Sequence, residues 1–161
     1  MKAEDKIVDW SKAQEVVNAW KTQDEKVVFT NGCFDLLHLG HVDYLEKSRN
    51  LGDKLVLALN TDASVRRQNK GPERPINDEL SRARLLASLF FVDLVVFFDE
   101  ETPYDIIAYL KPDVLVKGDD YAVQNIVGAD IVMKNGGVVK TVPLVKGYST
   151  TLIVNKIKNL N

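Results

Sequence analysis

Five short apolar runs, at residues 27–30, 55–59, 94–98, 114–116 and 138–142, recur along the chain with helix-patterned segments between them. Strands covered on both faces carry near-continuous apolar stretches, and parallel neighbours need a long crossover, usually a helix, to connect them. The alternation therefore predicts an α/β domain, a Rossmann-like doubly wound sheet of about five mainly parallel strands with helices on both faces. The intervening segments carry helix signals of their own. Ser11 and Gln14 have capping-box spacing ahead of an apolar face made by Ala13, Val16, Val17 and Trp20. A helix from about Leu39 turns Val42 and Leu45 inward and stops at Gly52. Further helices are expected at 61–67 and 80–90, then from Thr102-Pro103, with Pro103 at the first helical position, to just before Pro112. Residues 123–135 read as mostly helical, and Ser149 caps a last helix reaching Ile157.

In such sheets ligands bind beyond the carboxyl ends of the strands, where strand order reverses. The loop after the first strand reads Asn31-Gly32-Cys33-Phe34-Asp35-Leu36-Leu37-His38-Leu39-Gly40-His41 and opens a helix. Gly32 lets the backbone turn tightly and approach a ligand. A helix entry offers unpaired N–H groups and the positive end of a dipole, a ready place for phosphate. His38 and His41, the only two histidines, stand three apart and so share a side of the first turn, with Gly40 allowing a phosphate close to the backbone. Two imidazoles aimed at one place can donate N–H bonds to phosphoryl oxygens and stabilise charge on a transferring phosphate. The competing readings are histidines that merely satisfy local carbonyls, and a zinc site of Cys33, Asp35, His38 and His41. A cluster within one turn rarely closes a tetrahedron. Residues 66–77 (RRQNKGPERPIN) form either a solvated surface loop or a lid whose Arg66, Arg67, Lys70 and Arg74 face an anionic ligand.

Charge and composition remove other classes. With 21 Lys plus Arg against 23 Asp plus Glu the net charge is −2, without the basic excess of a nucleic-acid binder. One cysteine rules out an intrachain disulfide, and 161 residues suffice for a core without one. The most apolar stretch, 85–98, is broken by Ser88 and Asp93 and is too short to span a bilayer, and MKAEDKIVDW holds no apolar signal core. A cytoplasmic, soluble single domain with no nucleic-acid or membrane partner is expected.

GCFDLLHLGH resembles the H-x-G-H signature of the nucleotidyltransferases that include the glycerol-3-phosphate cytidylyltransferases. Their second mark, ending in G-x-S-T-T, is matched by Gly147-Tyr148-Ser149-Thr150-Thr151. Cytidylyltransferases typically carry an Arg three positions before that glycine, where this chain has Leu144. Cys33, the KGPERPIN segment and the run from Val114 through Lys117-Gly118-Asp119-Asp120-Tyr121 are instead similar to the adenylyltransferase domain of the ADP-heptose pathway. That domain often reads K-G-G-D-Y, so Asp119 replaces its second glycine. The resemblance implies a nucleotidyltransferase domain over 26–161, with 1–25 as a helical extension packed on it; in many bacteria that domain is fused behind a ribokinase-type sugar kinase, and a stand-alone transferase is expected here.

What the resemblance implies chemically is transfer of AMP from ATP to D-glycero-D-manno-heptose 1-phosphate, with pyrophosphate leaving. The alternatives are cytidylyl transfer to glycerol 3-phosphate or another small phosphate, and a nucleotide-binding regulatory subunit without catalysis. His38 and His41 would grip the α- and β-phosphates, and Ser149 and Thr150 would donate from a second helix start. Lys70 would meet the leaving pyrophosphate or the incoming phosphate, with Mg²⁺ carried on the phosphates. Gly32, Cys33, Phe34, Gly40, Gly147 and Tyr148 would lie along the nucleotide, Cys33 as a small residue and not a nucleophile. Lys117-Gly118-Asp119 is either a nucleotide edge, with Asp119 or Asp120 accepting from a ribose hydroxyl, or an ordinary polar turn. Asp35 would orient a histidine or cap its helix, and Arg82 either resembles a family position facing the phosphates or is a solvated helix arginine. Trp10 and Trp20 read as core or interface, and a homodimer is implied.

Overall fold

In the computed structural model, which describes residues 2–160, the five runs are strands β1 (Val27–Gly32), β2 (Lys54–Asn60), β3 (Leu94–Phe98), β4 (Val114–Gly118) and β5 (Val138–Val142). They form one sheet in the order β3-β2-β1-β4-β5 with every neighbouring pair parallel. Seven α-helices are described: α1 (Trp10–Lys21), α2 (Leu39–Arg49), α3 (Asp62–Arg67), α4 (Glu79–Ala87), α5 (Tyr104–Leu110), α6 (Ala129–Lys134) and α7 (Thr150–Lys158).

Alternation along the strands sorts the core into two layers. Phe29, Val56, Ala58, Val96, Phe98 and Leu115 face Ala13 and Val17 of α1, the apolar side of α5, and Val132 of α6. Val28, Leu55, Leu57, Leu59, Val95 and Val116 face Tyr44 and Leu45 of α2 and Ala83, Leu86 and Ala87 of α4. Each fully buried side chain of this size stabilises the fold by about 1.5–3 kcal/mol relative to exposure. Trp10 and Trp20 pack against the first layer, and the Trp10 indole N–H donates to the Phe97 carbonyl at 2.7 Å. The N-terminal segment lies along the outer side of β3, with the Val8 N–H donating to the Val95 carbonyl at 3.0 Å.

The order places the reversal at β1. Its ladder with β2 continues from Val27 to Gly32, whereas its pairing with β4 covers only Val28 and Phe29. Beyond Phe29 the two strands part, and a crevice opens between their carboxyl ends.

Several helix boundaries differ from the sequence reading for local reasons. Asp9, not Ser11, caps α1, its carboxylate accepting from the Lys12 N–H at 2.7 Å. Helix α2 ends at Arg49, before Gly52; a Cβ on Gly52 would sit 2.8 Å from the Lys26 carbonyl, so this glycine serves a close approach to the start of β1. Helix α4 stops at Ala87, leaving Phe90 exposed. Pro103 caps α5 and is not its first residue. The segment 123–135 is one 3-10 turn, Val123–Asn125, followed by α6, because Gly128 at φ 85° interrupts it.

Candidate active site

The cleft at the parted strands has a volume of about 700 Å³ and draws its walls from the loop after β1, the start of α2, the ends of β2 and β4, and the turn into α7. Its centre is the pair of imidazoles. His38 is the extended N-cap of α2, and His41 lies one turn inward; their rings stack with centroids 3.7 Å apart and planes 22° from parallel. Gly40 makes the stack possible, since a Cβ there would stand 3.0 Å from His38 Cε1 and Nδ1. The same Cβ would lie 3.2 Å from Tyr148 Cβ, so the missing side chain also lets the turn into α7 close on α2. Two motifs far apart in sequence thus meet at one glycine.

Phe34 completes the wall. It holds φ 46°, the left-handed region that non-glycine residues occupy at a cost of about 1–3 kcal/mol. Its ring lies back over Gly32, where a Cβ would meet Phe34 Cε2 at 2.8 Å, and turns an edge to His41 with centroids 5.0 Å apart. Burial pushes the His41 imidazole down to about 4, with the neighbouring His38 adding to it and the Leu36 carbonyl and Asp35 opposing. Burial also lowers His38. At neutral pH His41 is therefore uncharged and offers a single N–H donor. His38 Nδ1, His41 Nδ1 and Asn31 Oδ1 are buried with no hydrogen-bond partner among the described residues.

From α7, Ser149 acts as N-cap, its hydroxyl accepting from the Leu152 N–H at 3.1 Å, and Tyr148, Ser149, Thr150 and Thr151 line the cleft. Gly147, at φ 85°, makes the turn and does not itself line it. Lys70 reaches the cleft from the loop after α3, with Nζ 3.7 Å from Cys33 Sγ. Arg66 and Arg67 belong to α3, and Arg67 pairs with Asp99 at 3.1 Å.

Asp35 neither caps α2 nor hydrogen-bonds a histidine. Its carboxylate pairs with Arg74 at 2.9 Å and accepts from the Ile76 and Asn77 N–H groups, each at 2.9 Å. Burial pushes the carboxyl up, but these N–H donors and the guanidinium outweigh it and leave Asp35 below its ordinary value. The far half of the expected lid is thus fastened to the loop after β1, while Lys70 stands in the other half. Arg82 does not face the cleft. Wholly buried, it donates to the Asn77 carbonyl at 3.0 Å and the Cys33 carbonyl at 2.7 Å, and pairs with Asp62 at 2.7 Å. It braces the loops behind the site, holding the backbone of Cys33, but does not itself line the cleft.

Lys117 and Gly118 line the cleft, but Asp119 turns away, accepting from the Leu144 N–H at 3.3 Å; Asp120 and Tyr121 line it instead. Asn31, Asn60, Phe98 and Glu101 also line the cleft. Sequence reasoning assigned none of these four, although Asn31 and Asn60 carry a legible signal, a polar residue at the last turn of an apolar strand. Among the described residues no three His, Cys, Asp or Glu side chains come together as a metal cage.

Against known proteins, the cytidylyltransferase-like family model matches residues 29–156. A "Bifunctional protein HldE" of Magnetococcus marinus is 58% identical over 95% of this chain, which covers 31% of that protein. One from Koribacter versatilis is 53% identical over 96% of the chain and 32% of its own length. The chain thus spans about a third of the curated relatives it matches. Among solved structures, the "lipopolysaccharide core biosynthesis protein from Thermoplasma volcanium GSS1" is 34% identical, with TM-score 0.61 over 78% of this chain and 99% of that one. A Francisella tularensis pantoate-beta-alanine ligase, 18% identical with TM-score 0.61 over 95% of this chain and 77% of its own, shares the fold. With the family model spanning both the histidine turn and the start of α7, the chain belongs to the cytidylyltransferase-like family.

Proposed function

We propose that this chain is a cytoplasmic adenylyltransferase that moves AMP from ATP to D-glycero-D-manno-heptose 1-phosphate. An oxygen of the sugar phosphate attacks the α-phosphorus in line, the bond to the bridging oxygen breaks, and pyrophosphate leaves as ADP-heptose forms. The observation that carries the reading is the stacked His38–His41 pair, whose buried Nδ1 atoms have no partner among the described residues, lining one cleft with Ser149 and Thr150. The relatives named HldE and the lipopolysaccharide core biosynthesis protein support the choice of a heptose acceptor.

The reaction needs no covalent intermediate, so the work of the protein is positioning and charge stabilisation. His38 and His41 donate N–H bonds to the α- and β-phosphates, and charge spreads over those oxygens as the transition state forms. Ser149 and Thr150 add hydroxyl and backbone donors from the start of α7, which favours anions through its dipole. Gly32, Cys33, Phe34 and Gly118 keep backbone close to the nucleotide, Gly147 and Tyr148 set the turn, and Lys70 meets the departing pyrophosphate. Asp119 acts indirectly, holding Leu144, which packs against Gly118. Magnesium fits this donor set as an ion borne by triphosphate oxygens, where it would neutralise charge, and not as one caged by side chains.

Residues 26–161 form the transferase domain in this reading, with 1–25 an extension joined to its core through α1. A homodimer belongs to the proposal as well. Helix α7 buries none of its residues and leaves Leu152 and Ile157 exposed. No described helix is long and apolar enough to cross a membrane.

The test is pyrophosphate release from ATP and from CTP with Mg²⁺, against both anomers of heptose 1-phosphate and against glycerol 3-phosphate. Turnover with ATP and a heptose 1-phosphate alone is expected. Turnover with CTP and glycerol 3-phosphate would make the chain a cytidylyltransferase, and nucleotide binding without turnover would make it a regulatory subunit.

A further inference from the structure

The alternation that sorts the core also sorts the floor of the cleft. Thr30 points to the α2 side, where its hydroxyl meets the Tyr44 hydroxyl at 2.7 Å. Asn31 therefore falls on the opposite face, that of Phe29, and Lys117 on the face of Leu115. Phe29 and Leu115 are the last paired residues of β1 and β4, so Asn31 and Lys117 stand two positions further on, flanking the parted strands on the face away from the imidazoles.

Both residues are polar groups that the protein leaves unmatched. Among the described residues the Lys117 ammonium has no hydrogen bond or ion pair, only the Tyr121 ring at 5.7 Å. Other cations in and behind the cleft are compensated: Arg74 by Asp35 at 2.9 Å and Arg82 by Asp62 at 2.7 Å. Lys70 is an exposed residue on a loop. Burial pushes Lys117 down to about 8, with Cys33 and Asp120 pulling it back up and Lys70 pressing it further down. It therefore remains mostly charged at neutral pH. Asn31 Oδ1 is buried without a hydrogen-bond donor among the described residues. A half-buried cation with no direct ion pair, on the same strand face as an amide oxygen without a donor, leaves polar atoms that a ligand would complete.

We propose that Lys117 and Asn31 form the acceptor subsite, Lys117 binding the phosphate of a polyhydroxylated phosphate ester and Asn31 accepting from an adjacent hydroxyl. This rests on the transfer reaction proposed above and assigns Lys117 away from the nucleotide. In-line attack requires the acceptor to approach the α-phosphorus from the side opposite the pyrophosphate. The imidazoles hold the triphosphate on the α2 side of the sheet edge; the parted β1–β4 edge is the remaining approach. The ammonium there offsets the repulsion between two anionic phosphates brought into contact.

Steady-state kinetics of Lys117→Met and Lys117→Arg should show the acceptor KM raised at least tenfold by Met and partly restored by Arg, with the ATP KM within twofold of wild type. An ATP KM that rises as far as the acceptor KM, or an acceptor KM that does not move, would overturn the assignment. A second measurement does not depend on the identity of the sugar. Lysine acetylation of the wild-type protein, saturated with a non-hydrolysable ATP analogue and read by mass spectrometry, should label Lys117, and inorganic phosphate should protect it. Protection by the nucleotide alone would place Lys117 in the triphosphate site and end the proposal. Phosphate protection together with no turnover on any heptose phosphate would refute the heptose reaction and leave the anion subsite standing.

Discussion

Gly40→Ala should cost this protein its chemistry while leaving most of its stability. Gly40 is the second residue of α2 and has ordinary helical backbone angles, so alanine there gains up to about 1 kcal/mol of helix propensity. The added Cβ, however, would stand 3.0 Å from His38 Cε1 and Nδ1 and 3.2 Å from Tyr148 Cβ. Comfortable contact begins near about 3.5 Å, so something must retreat by roughly half an ångström. Tyr148 Cβ is tied to the backbone just ahead of the Ser149 cap, which leaves the His38 ring to move. That ring is stacked on His41 at 3.7 Å, and its displacement takes an N–H donor out of line with the phosphate. A misplacement of about 1 Å costs on the order of 100-fold, so kcat should fall about ten- to a hundredfold, or roughly 1.4–2.7 kcal/mol of transition-state stabilisation. The overpacking penalty of about 1–3 kcal/mol is partly offset by the helix gain, and the urea midpoint should drop only modestly. Pyrophosphate release and urea unfolding of the same preparation check both halves. Activity within twofold of wild type would show that His38 has room to spare and that the Gly40 argument is wrong; loss of activity only through unfolding would refute it equally.

Three further outcomes follow from the buried ionisable groups. His41 has a folded value near 4 against an ordinary 6.5, so the unfolded chain binds more protons and stability declines as pH falls through that window, by up to about 3 kcal/mol. Urea midpoints at about pH 7 and about pH 4.5 should show His41→Gln losing most of that decline; an unchanged decline would refute the assignment. Arg82→Met should lose about 3–5 kcal/mol of stability while both substrate KM values of the folded protein stay within about twofold, and a large shift in either KM would return Arg82 to the site. Asp35→Asn leaves Arg74 without its counter-charge and should cost a similar ~3–5 kcal/mol, with hydrogen exchange accelerated at Ile76 and Asn77; Arg74→Met added to it should recover part of the loss. Unchanged exchange at those two amides would disprove the fastening role.

The strands, their parallel direction and the histidine turn were legible because each depends on residues near one another in sequence, whereas Gly147–Thr151 was tied to the site by resemblance. Apolar runs of strand length declare themselves, and His38, Gly40 and His41 sit within a single turn. The hydrogen-bond partners of Asp35, which lines the cleft, and of Arg82 were not legible for the opposite reason. Their partners, Arg74 and Asp62, lie 39 and 20 positions away in the chain, and no periodicity signals a long-range ion pair. A buried arginine and an arginine facing phosphate look identical in a helix until the register of its neighbours is known. Asp119 and Asp120 illustrate a finer version: successive residues after a strand point to opposite sides, so choosing between them needs the turn geometry that ties Asp119 to Leu144.

The distribution of unmatched polar atoms separates framework from function more sharply than any motif does. Away from the cleft, polarity taken out of water is matched. The buried Ser48 hydroxyl donates to the Tyr44 carbonyl at 2.7 Å, and Arg82 has three partners of its own. Among the described residues the buried side-chain atoms without a partner are Asn31 Oδ1, His38 Nδ1 and His41 Nδ1, and all three residues line one cleft. Each such atom costs about 1–3 kcal/mol, a substantial share of the 5–15 kcal/mol that typically holds a domain together. A fold selected for stability alone would have no reason to gather these deficits at one sheet edge. They are tolerated where a ligand with phosphoryl oxygens and hydroxyls supplies the missing partners, and nucleotide binding should therefore raise the melting temperature of the protein.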